Sequence, residues 1–512
     1  MYYKVSKDPI YSEIFLYPLE IVTCDTKIVQ RLRNLSQLVG AGWVYPGANH
    51  TRFEHSLGVM HVAGLYASRL FDNSSRTRII RLAGLLHDIA HGPFSHQFDD
   101  TIYKSLGFVE GHDEFRKLLI LKKLPSEIVE RIKKVKDERL ISALKEDLKL
   151  TLGHSNGDLK KDIEDLCSKI NKVFEGEKAG SIDFNIVQGP LGADRLDFVL
   201  RDSYHSGVKN YSTVALDRIV RNSYIRKYGN EDILCYDIKV IDDIYSFLFG
   251  RFMMYKNVYF HKTSRAVDLM IQELLRLVDE PLNLKKLVLD FNSFEELTDG
   301  YIVNTIINEF NKIIDEKAKD AGVEVESVKK KILCEEPNDL NLTKKEISII
   351  KAYKLLDKIS KRDLWKMILE LPFTITGVDP STVAESVGEN AIKKMKEKLK
   401  AILKNSKIEE DDLEVLQRIF KHFEKLFRID TPYKLTLFHL SEFDSTKVFL
   451  YDSKNDKVYR FSDFENKYPS YRLTLNNLIQ LVRIYVTEDV RGIFRKYSLI
   501  PENSEINTTT RW

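Results

Sequence analysis

The chain has 512 residues, 43% of them apolar and 11% aromatic, enough to bury a large core and to divide into two or three compact units. Its 79 basic and 76 acidic residues leave a formal charge of +3, which excludes a dominantly polycationic nucleic-acid binder and confines any anion site to a local cluster. Cys24, Cys167, Cys235 and Cys334 form no CxxC pair, so they read as buried thiols in a reducing compartment and not as a zinc site. No apolar run reaches the roughly 20 residues of a membrane span, and the start, MYYKVSKDPIYSEIF, has no secretory h-region. The expectation is a cytoplasmic protein with no membrane association.

In chain order, apolar residues recur three and four apart from about residue 18 to 270, through VQRLRNLSQLVG, LGVMHVAGLYASRLF and RIIRLAGLLHDIA, which predicts a helical bundle. Within it, residues 122–178 are dense in Lys, Glu and Asp and predict a charged insertion of amphipathic helices with polar outer faces. A further helical region is expected over 271–430. Over 431–512 the period changes: KVFLYDSKNDKVYRF reads as strand, turn and strand, and LTLNNLIQLVRIYV as a helix passing into a strand. The fold expected is mainly α, with a helical bundle over 1–270, the second helical region, and a small α+β C-terminal lobe.

Seven of the 12 histidines, His50, His55, His61, His87, His91, His96 and His112, fall between residues 50 and 112. In RLAGLLHDIAHGPFSH, Leu82, Leu85, Leu86 and Ile89 mark one helix face and His87, Asp88 and His91 another, with Pro93 expected to stop the helix. Adjacent helical residues sit about 100° apart, so His87 and Asp88 can converge on one ion. His55 in TRFEHSLGVMH and Asp194 in GADRLDFVLRD are the candidates for the remaining ligands. Two imidazoles and two carboxylates suit one transition ion, manganese, iron, nickel or zinc, with magnesium reserved for a nucleotide-borne ion. A lone HD dipeptide is usually accidental; four matching segments in order outweigh that reading.

Those segments, QRLRNLSQLVGAGWVYPGANHTRFEHSLGVMH, LLHDIAHGPFSH, ADRLDFVLRDSYHSG and YKNVYFHKTSRA, resemble the HD-domain deoxynucleoside triphosphate triphosphohydrolases, above all the branch that in vertebrates joins a sterile alpha motif to the HD domain. The sterile alpha motif has no counterpart here. The resemblance implies hydrolysis of a dNTP to the deoxynucleoside and inorganic tripolyphosphate. It carries His55, His87, Asp88 and Asp194 over as metal ligands, and His96, Arg52, Arg195 and Arg251 as triphosphate contacts, with Arg195 standing where the vertebrate enzyme has lysine. His91 and His112 match proton-handling histidines, and Asp113 and Glu114 are the carboxylates offered to support His112. Gln37, Leu38 and Tyr259 match residues around the sugar. Phe198 replaces a tyrosine that reads the 3′-hydroxyl, so one hydrogen bond is missing there.

The spacing is compatible with these roles. Asp194, Phe198 and Asp202 recur every four residues, as do Arg251, Tyr255 and Tyr259, so each set shares a helix face, although ordinary packing also produces such stripes. Arginine forks grip phosphate oxygens bidentately, and a histidine titrating near neutrality can pass a proton to an ester oxygen.

The resemblance also implies a guanine-nucleotide activator, GTP or dGTP, held by Lys4, Val5, Asp25, Gln30, Arg33, Arg362 and Lys366 at contacts between copies in a dimer or tetramer. At the adjoining second activator position Lys7 replaces asparagine. Two other readings stand beside the dNTPase: an HD-type nuclease acting on single-stranded nucleic acid or a hydrolase of another nucleotide, and a nucleotide-sensing regulator with an inactive site.

Overall fold

The computed structural model describes residues 2–154, 157–178, 180–212, 214–334, 341–373, 380–404, 408–431, 447–468 and 480–500. The chain is mainly α-helical, with small sheets at its edges. At its centre the helix Arg52–Leu70 is buried on nearly every side, with Val59, Met60, Val62, Ala63, Tyr66 and Ala67 all at 0% exposure. Small residues ease that burial: a Cβ on Gly84 of the neighbouring helix Ser74–Leu86 would stand 3.1 Å from the Met60 backbone, so a larger residue there would require the two helices to part by a few tenths of an ångström.

The charged stretch 122–178 folds as three helices, Leu124–Lys134, Glu138–Leu152 and Leu159–Glu175. Their apolar stripes join the main core through Ile128, Leu144, Ile163, Leu166 and Ile170, while most of their Lys and Glu residues face water. Asp137 and Asp158 cap the second and third, each accepting from the backbone N–H two residues on.

Strands β1 (Lys4–Asp8) and β2 (Ser12–Leu16) form an N-terminal hairpin, closed where Asp8 Oδ1 accepts from the Ile10 and Tyr11 N–H groups at 2.8 and 3.0 Å. Three differences from the periodicity emerge. The helix carrying LLHDIAH ends at Leu86 and passes into tight turns, Ile89 N–H to Leu86 O and His91 N–H to Asp88 O, so Pro93 does not terminate it. An antiparallel pair, β3 (Ser223–Tyr228) and β4 (Glu231–Asp237), interrupts the first helical region. β5 (Lys366–Phe373) interrupts the second.

The strands expected near Ser453 to Asp456 are present as β7 (Phe449–Asp452) and β8 (Lys457–Arg460), which complete a four-stranded sheet in the order β3-β4-β7-β8, with β4 and β7 parallel. β9 (Gln480–Val486) lies between β5 and β6 (Arg428–Asp430) in a second antiparallel sheet. The helical half read into LTLNNLIQLVRIYV lies outside the described residues. A separate core forms around Met395, Leu399, Leu416, Phe423 and Phe494, whereas Val448, Leu450, Phe461 and Phe464 join the main one. Among the described residues no helix is long and apolar enough to cross a membrane. Cys24, Cys167 and Cys235 are free and buried.

Candidate metal centre and nucleotide cleft

Three segments converge on one point. His55 comes from the first turn of the central helix, His87 and Asp88 from the turn after Ser74–Leu86, and Asp194 from the first turn of the helix Ala193–His205. His55 Nε2 lies 3.2 Å from both His87 Nε2 and Asp194 Oδ1, and Asp88 Oδ1 lies 3.2 Å from His87 Nε2. His87 Nδ1 faces the Gly84 carbonyl at 2.8 Å and His55 Nδ1 faces Asp197 Oδ2 at 2.8 Å, so in the neutral rings both Nδ1 atoms donate and both Nε2 lone pairs point at each other. Such an arrangement demands positive charge at its centre.

Without an ion, a proton supplies that charge. Burial opposes protonation of His55, but its bonds to Asp194 and Asp197 outweigh burial and hold the imidazole at about 10. Asp88 and Asp194 stay ionised despite burial, Asp88 through His87 and Arg52 and Asp194 through the hydrogen bond from His55 and the nearby His87. A divalent ion would replace the proton. Two neutral imidazoles, His55 backed by the Asp197 carboxylate and His87 by the Gly84 carbonyl, with Asp88 and Asp194 beside them, fit a first-row metal.

Asp197 was not singled out from the sequence, yet it orients His55. It accepts the Arg201 guanidinium through both oxygens and a 2.7 Å bond from Tyr11 Oη, while Arg201 also pairs with Asp8 at 2.9 Å. The N-terminal hairpin thereby braces the candidate ligand His55. The available signal was the i,i+3 spacing of Asp194 and Asp197 on one helix face.

Beside this set, His91, His96 and His112 gather around a second unanticipated residue, Asp99. Its Oδ2 lies 2.9 Å from His112 Nδ1, 3.2 Å from His96 Nδ1 and 3.4 Å from His91 Nδ1. Asp99 is therefore the carboxylate that supports His112. Asp113 Oδ1 is 3.9 Å from His112 Nε2 and pairs with Arg116, and Glu114 accepts from the Glu110 N–H. The His91 and His112 rings stack with centroids 3.5 Å apart. Burial, with the Arg52 and His112 charges, pushes the His91 pKa down; burial acts the same way on His112, but Asp99 and Asp113 carry it up to about 9.

A cleft of about 690 Å³ opens over both sets and includes Arg52, Asp194, Arg195, Phe198 and Tyr255 in its wall. It shares Gln37, Arg52, His96, Phe198 and Tyr255 with an adjoining pocket of about 320 Å³ lined also by Leu38, Asp202 and Tyr259. Arg52 pairs with Asp88 and donates to Ser95 Oγ at 2.7 Å. Ser95 and its neighbour Phe94 hold left-handed φ angles of 55° and 60°, strain maintained by the Phe94 N–H bond to Asp299 and the Ser95 Oγ bond to the Ser36 carbonyl.

In the smaller pocket Asp202 accepts from Tyr259 Oη at 2.5 Å and meets His50 Nε2 at 2.8 Å, and Gln37 Oε1 is buried without a hydrogen-bond partner. Phe198 stands edge-on to Tyr259 with ring centroids 6.4 Å apart. Arg195 turns toward the Gln188 and Gly189 carbonyls. Arg251 is 1% exposed, lies behind the cleft wall and stacks 4.8 Å from the Tyr255 ring, where the helix Ile241–Met254 gives way to a π-helical turn, Tyr255–Tyr259.

The residues read as an activator site fall into separate groups. Arg33 Nε donates to Gln30 at 2.8 Å and Asp25 pairs with Arg131 at 3.3 Å. Arg362 donates to the Trp43 carbonyl at 3.2 Å and Lys366 pairs with Glu488 at 3.6 Å. Lys4 and Val5 are exposed on β1.

Comparison with known proteins places this geometry. The HD domain family model matches residues 52–175. An uncharacterized protein of Methanocaldococcus jannaschii is 32% identical over 310 residues, 59% of this chain and 57% of its own length. The deoxynucleoside triphosphate triphosphohydrolase SAMHD1 of Gallus gallus is 29% identical over 54% of this chain and 45% of its own length. Its Homo sapiens counterpart is 26% identical over 74% of this chain and 64% of its own. The chain thus spans only part of the curated relatives it matches. A crystal structure of a hypothetical protein from Aquifex aeolicus shares the fold, with a TM-score of 0.58 and 22% identity across 97% of this chain and 99% of that one. The HD match covers the segments that bring His55, His87 and Asp88 together, and these relatives align over more than half of the chain: residues 52–175 match the HD domain, and the chain as a whole is similar to the SAMHD1 deoxynucleoside triphosphate triphosphohydrolases.

Proposed function

We propose that the protein hydrolyses deoxynucleoside triphosphates to deoxynucleoside and inorganic tripolyphosphate. The observation that carries this reading is the continuity of the two pockets, with a metal-ligand set and a histidine cluster over one and sugar-sized polar groups in the other. His55, His87, Asp88 and Asp194 would hold one ion, manganese, iron, nickel or zinc, which when bound polarises a phosphoryl oxygen as a Lewis acid. Arg52, Arg195 and His96 face the triphosphate, with Arg251 backing Tyr255. Asp99 holds the proton on His112 beside His91, so a stacked pair with opposed proton affinities stands where the leaving ester oxygen would need one. Gln37, Asp202 and Tyr259 meet the deoxyribose and Leu38 crowds its 2′ side. Phe198 offers no hydroxyl, which favours weaker sugar discrimination than a tyrosine would give and keeps ribonucleoside triphosphates in view as substrates. A guanine nucleotide would activate the enzyme at Lys4, Val5, Asp25, Gln30, Arg33, Arg362 and Lys366, at contacts between copies in a homo-oligomer. Magnesium would arrive with the nucleotide.

The test is chromatographic analysis of products from purified protein with manganese, each dNTP and each NTP, with and without GTP. Tripolyphosphate is the expected product; mononucleotides from single-stranded DNA or RNA, with no triphosphate turnover, would replace this reading with a nuclease. Asp194→Ala should abolish metal retention and turnover together while leaving the helical circular dichroism unchanged.

A further inference from the structure

The set formed by His91, His96, Asp99 and His112 has the geometry of a coordination sphere in its own right. Ligands on a tetrahedral zinc ion at about 2.0–2.1 Å are separated by about 3.3 Å. The three Nδ1 atoms stand 2.9, 3.2 and 3.4 Å from one Asp99 oxygen, and all four donor atoms lie within 4.8 Å of one another. Two further observations point to a ligand. His91 Nδ1 and Asp99 Oδ1 are buried with no hydrogen-bond partner. His91 also turns its other nitrogen toward Asp88 Oδ1 at 3.5 Å, the back-side carboxylate contact typical of a metal-binding imidazole. The floor is closed, since His91 is 1% exposed, whereas the His96 side chain is 69% exposed and can swing in from the rim.

From this geometry we infer a second cation site, built from His91, His96, Asp99 and His112, that takes zinc and silences the enzyme when filled. Three imidazoles and one carboxylate make a donor set soft enough for zinc and poor in the oxygens that magnesium or calcium require. The inference rests on the proton-handling role proposed for His91 and His112. A zinc ion binds the same Nδ1 atoms that Asp99 otherwise keeps in the proton's service, so occupation of the site and proton transfer exclude each other. Asp88 and His91 join the two sets, which places the inhibitory ion beside the catalytic one.

The experiment loads metal-free protein with one equivalent of manganese, titrates zinc by calorimetry, and counts both metals by mass spectrometry after desalting. The parent should take a further equivalent of zinc. His96→Ala, a change at an exposed rim that leaves the core untouched, should weaken that event at least about tenfold while retaining the manganese. Asp99→Asn should do the same, with thermal melting as the check on its fold. Asp194→Ala should lose the manganese and still bind zinc once. Where triphosphate turnover is detected, zinc inhibition should shift to at least about tenfold higher concentration in His96→Ala. A parent that binds no zinc beyond the first ion, or a second zinc unaffected by both His96→Ala and Asp99→Asn, overturns the site. Because stoichiometry is read without substrate, the absence of dNTP hydrolysis would defeat the proposed function and leave this result standing.

Discussion

At the scale of single residues, the site is organised by carboxylates that hold its histidines, Asp197 on His55 and Asp99 on His112. Asp197 locks the His55 ring, and because a carboxylate behind a metal-binding histidine commonly sets metal affinity by about 10–100-fold, Asp197→Asn should weaken metal binding by that much. The measurement is manganese affinity by calorimetry, and an affinity equal to the parent's would remove Asp197 from the metal's support. A second carboxylate acts on stability. Burial and the bond with Glu295 raise Glu127 from its ordinary 4.5 to about 7, against the Ile28 N–H bond and Lys123. The folded state then keeps a proton that the unfolded chain releases, so this contribution is whole below pH 4.5 and is lost as pH rises through about 7. Glu127→Gln, which stays neutral, should flatten the decline in denaturant midpoint across that window.

At the scale of elements, the site depends on how closely the central helix meets the helix Ala193–His205. A Cβ on Gly58 would overlap Asp197 Oδ1 and the Arg201 guanidinium, and Asp197 cannot retreat because Tyr11 and Arg201 hold it. Gly58→Ala should therefore reduce metal retention more than it reduces helix content, although alanine is the better helix former by about 1 kcal/mol. Metal counts beside far-ultraviolet circular dichroism separate the two effects. The HD turn carries a related lesson: LLHDIAH scans as helix through His91, yet the helix yields at Leu86 so that His87, Asp88 and His91 fan toward two centres.

At the scale of the whole molecule, late segments brace the cleft. Arg483 on β9 is 1% exposed, pairs with Glu370 at 2.6 Å and donates to the Phe260 carbonyl at 2.5 Å, in the wall of the smaller pocket. Arg265, also in that wall, pairs with Asp430 on β6 at 2.7 Å. Arg483→Met breaks this ion pair and removes the bond to the Phe260 carbonyl, and should lower the denaturation midpoint. With the Phe260 carbonyl released, KM for the nucleotide should rise more than kcat falls. An unchanged KM would separate the C-terminal sheet from substrate binding.

The amino-acid order by itself determined the mainly helical architecture, the amphipathic insertion, the β7–β8 hairpin and the ligand candidates His55, His87, Asp88 and Asp194, because periodicity, turn chemistry and residue type are local properties. The tertiary structure alone decided that β4 pairs with β7, and that Asp99 rather than Asp113 or Glu114 supports His112. It alone brought Asp8 and Tyr11 onto Arg201 and Asp197, nearly two hundred positions away, behind the candidate ligand His55. Strand partners and buried carboxylate partners are chosen by desolvation, which rewards whichever distant group arrives in the right place, and no local pattern encodes that choice.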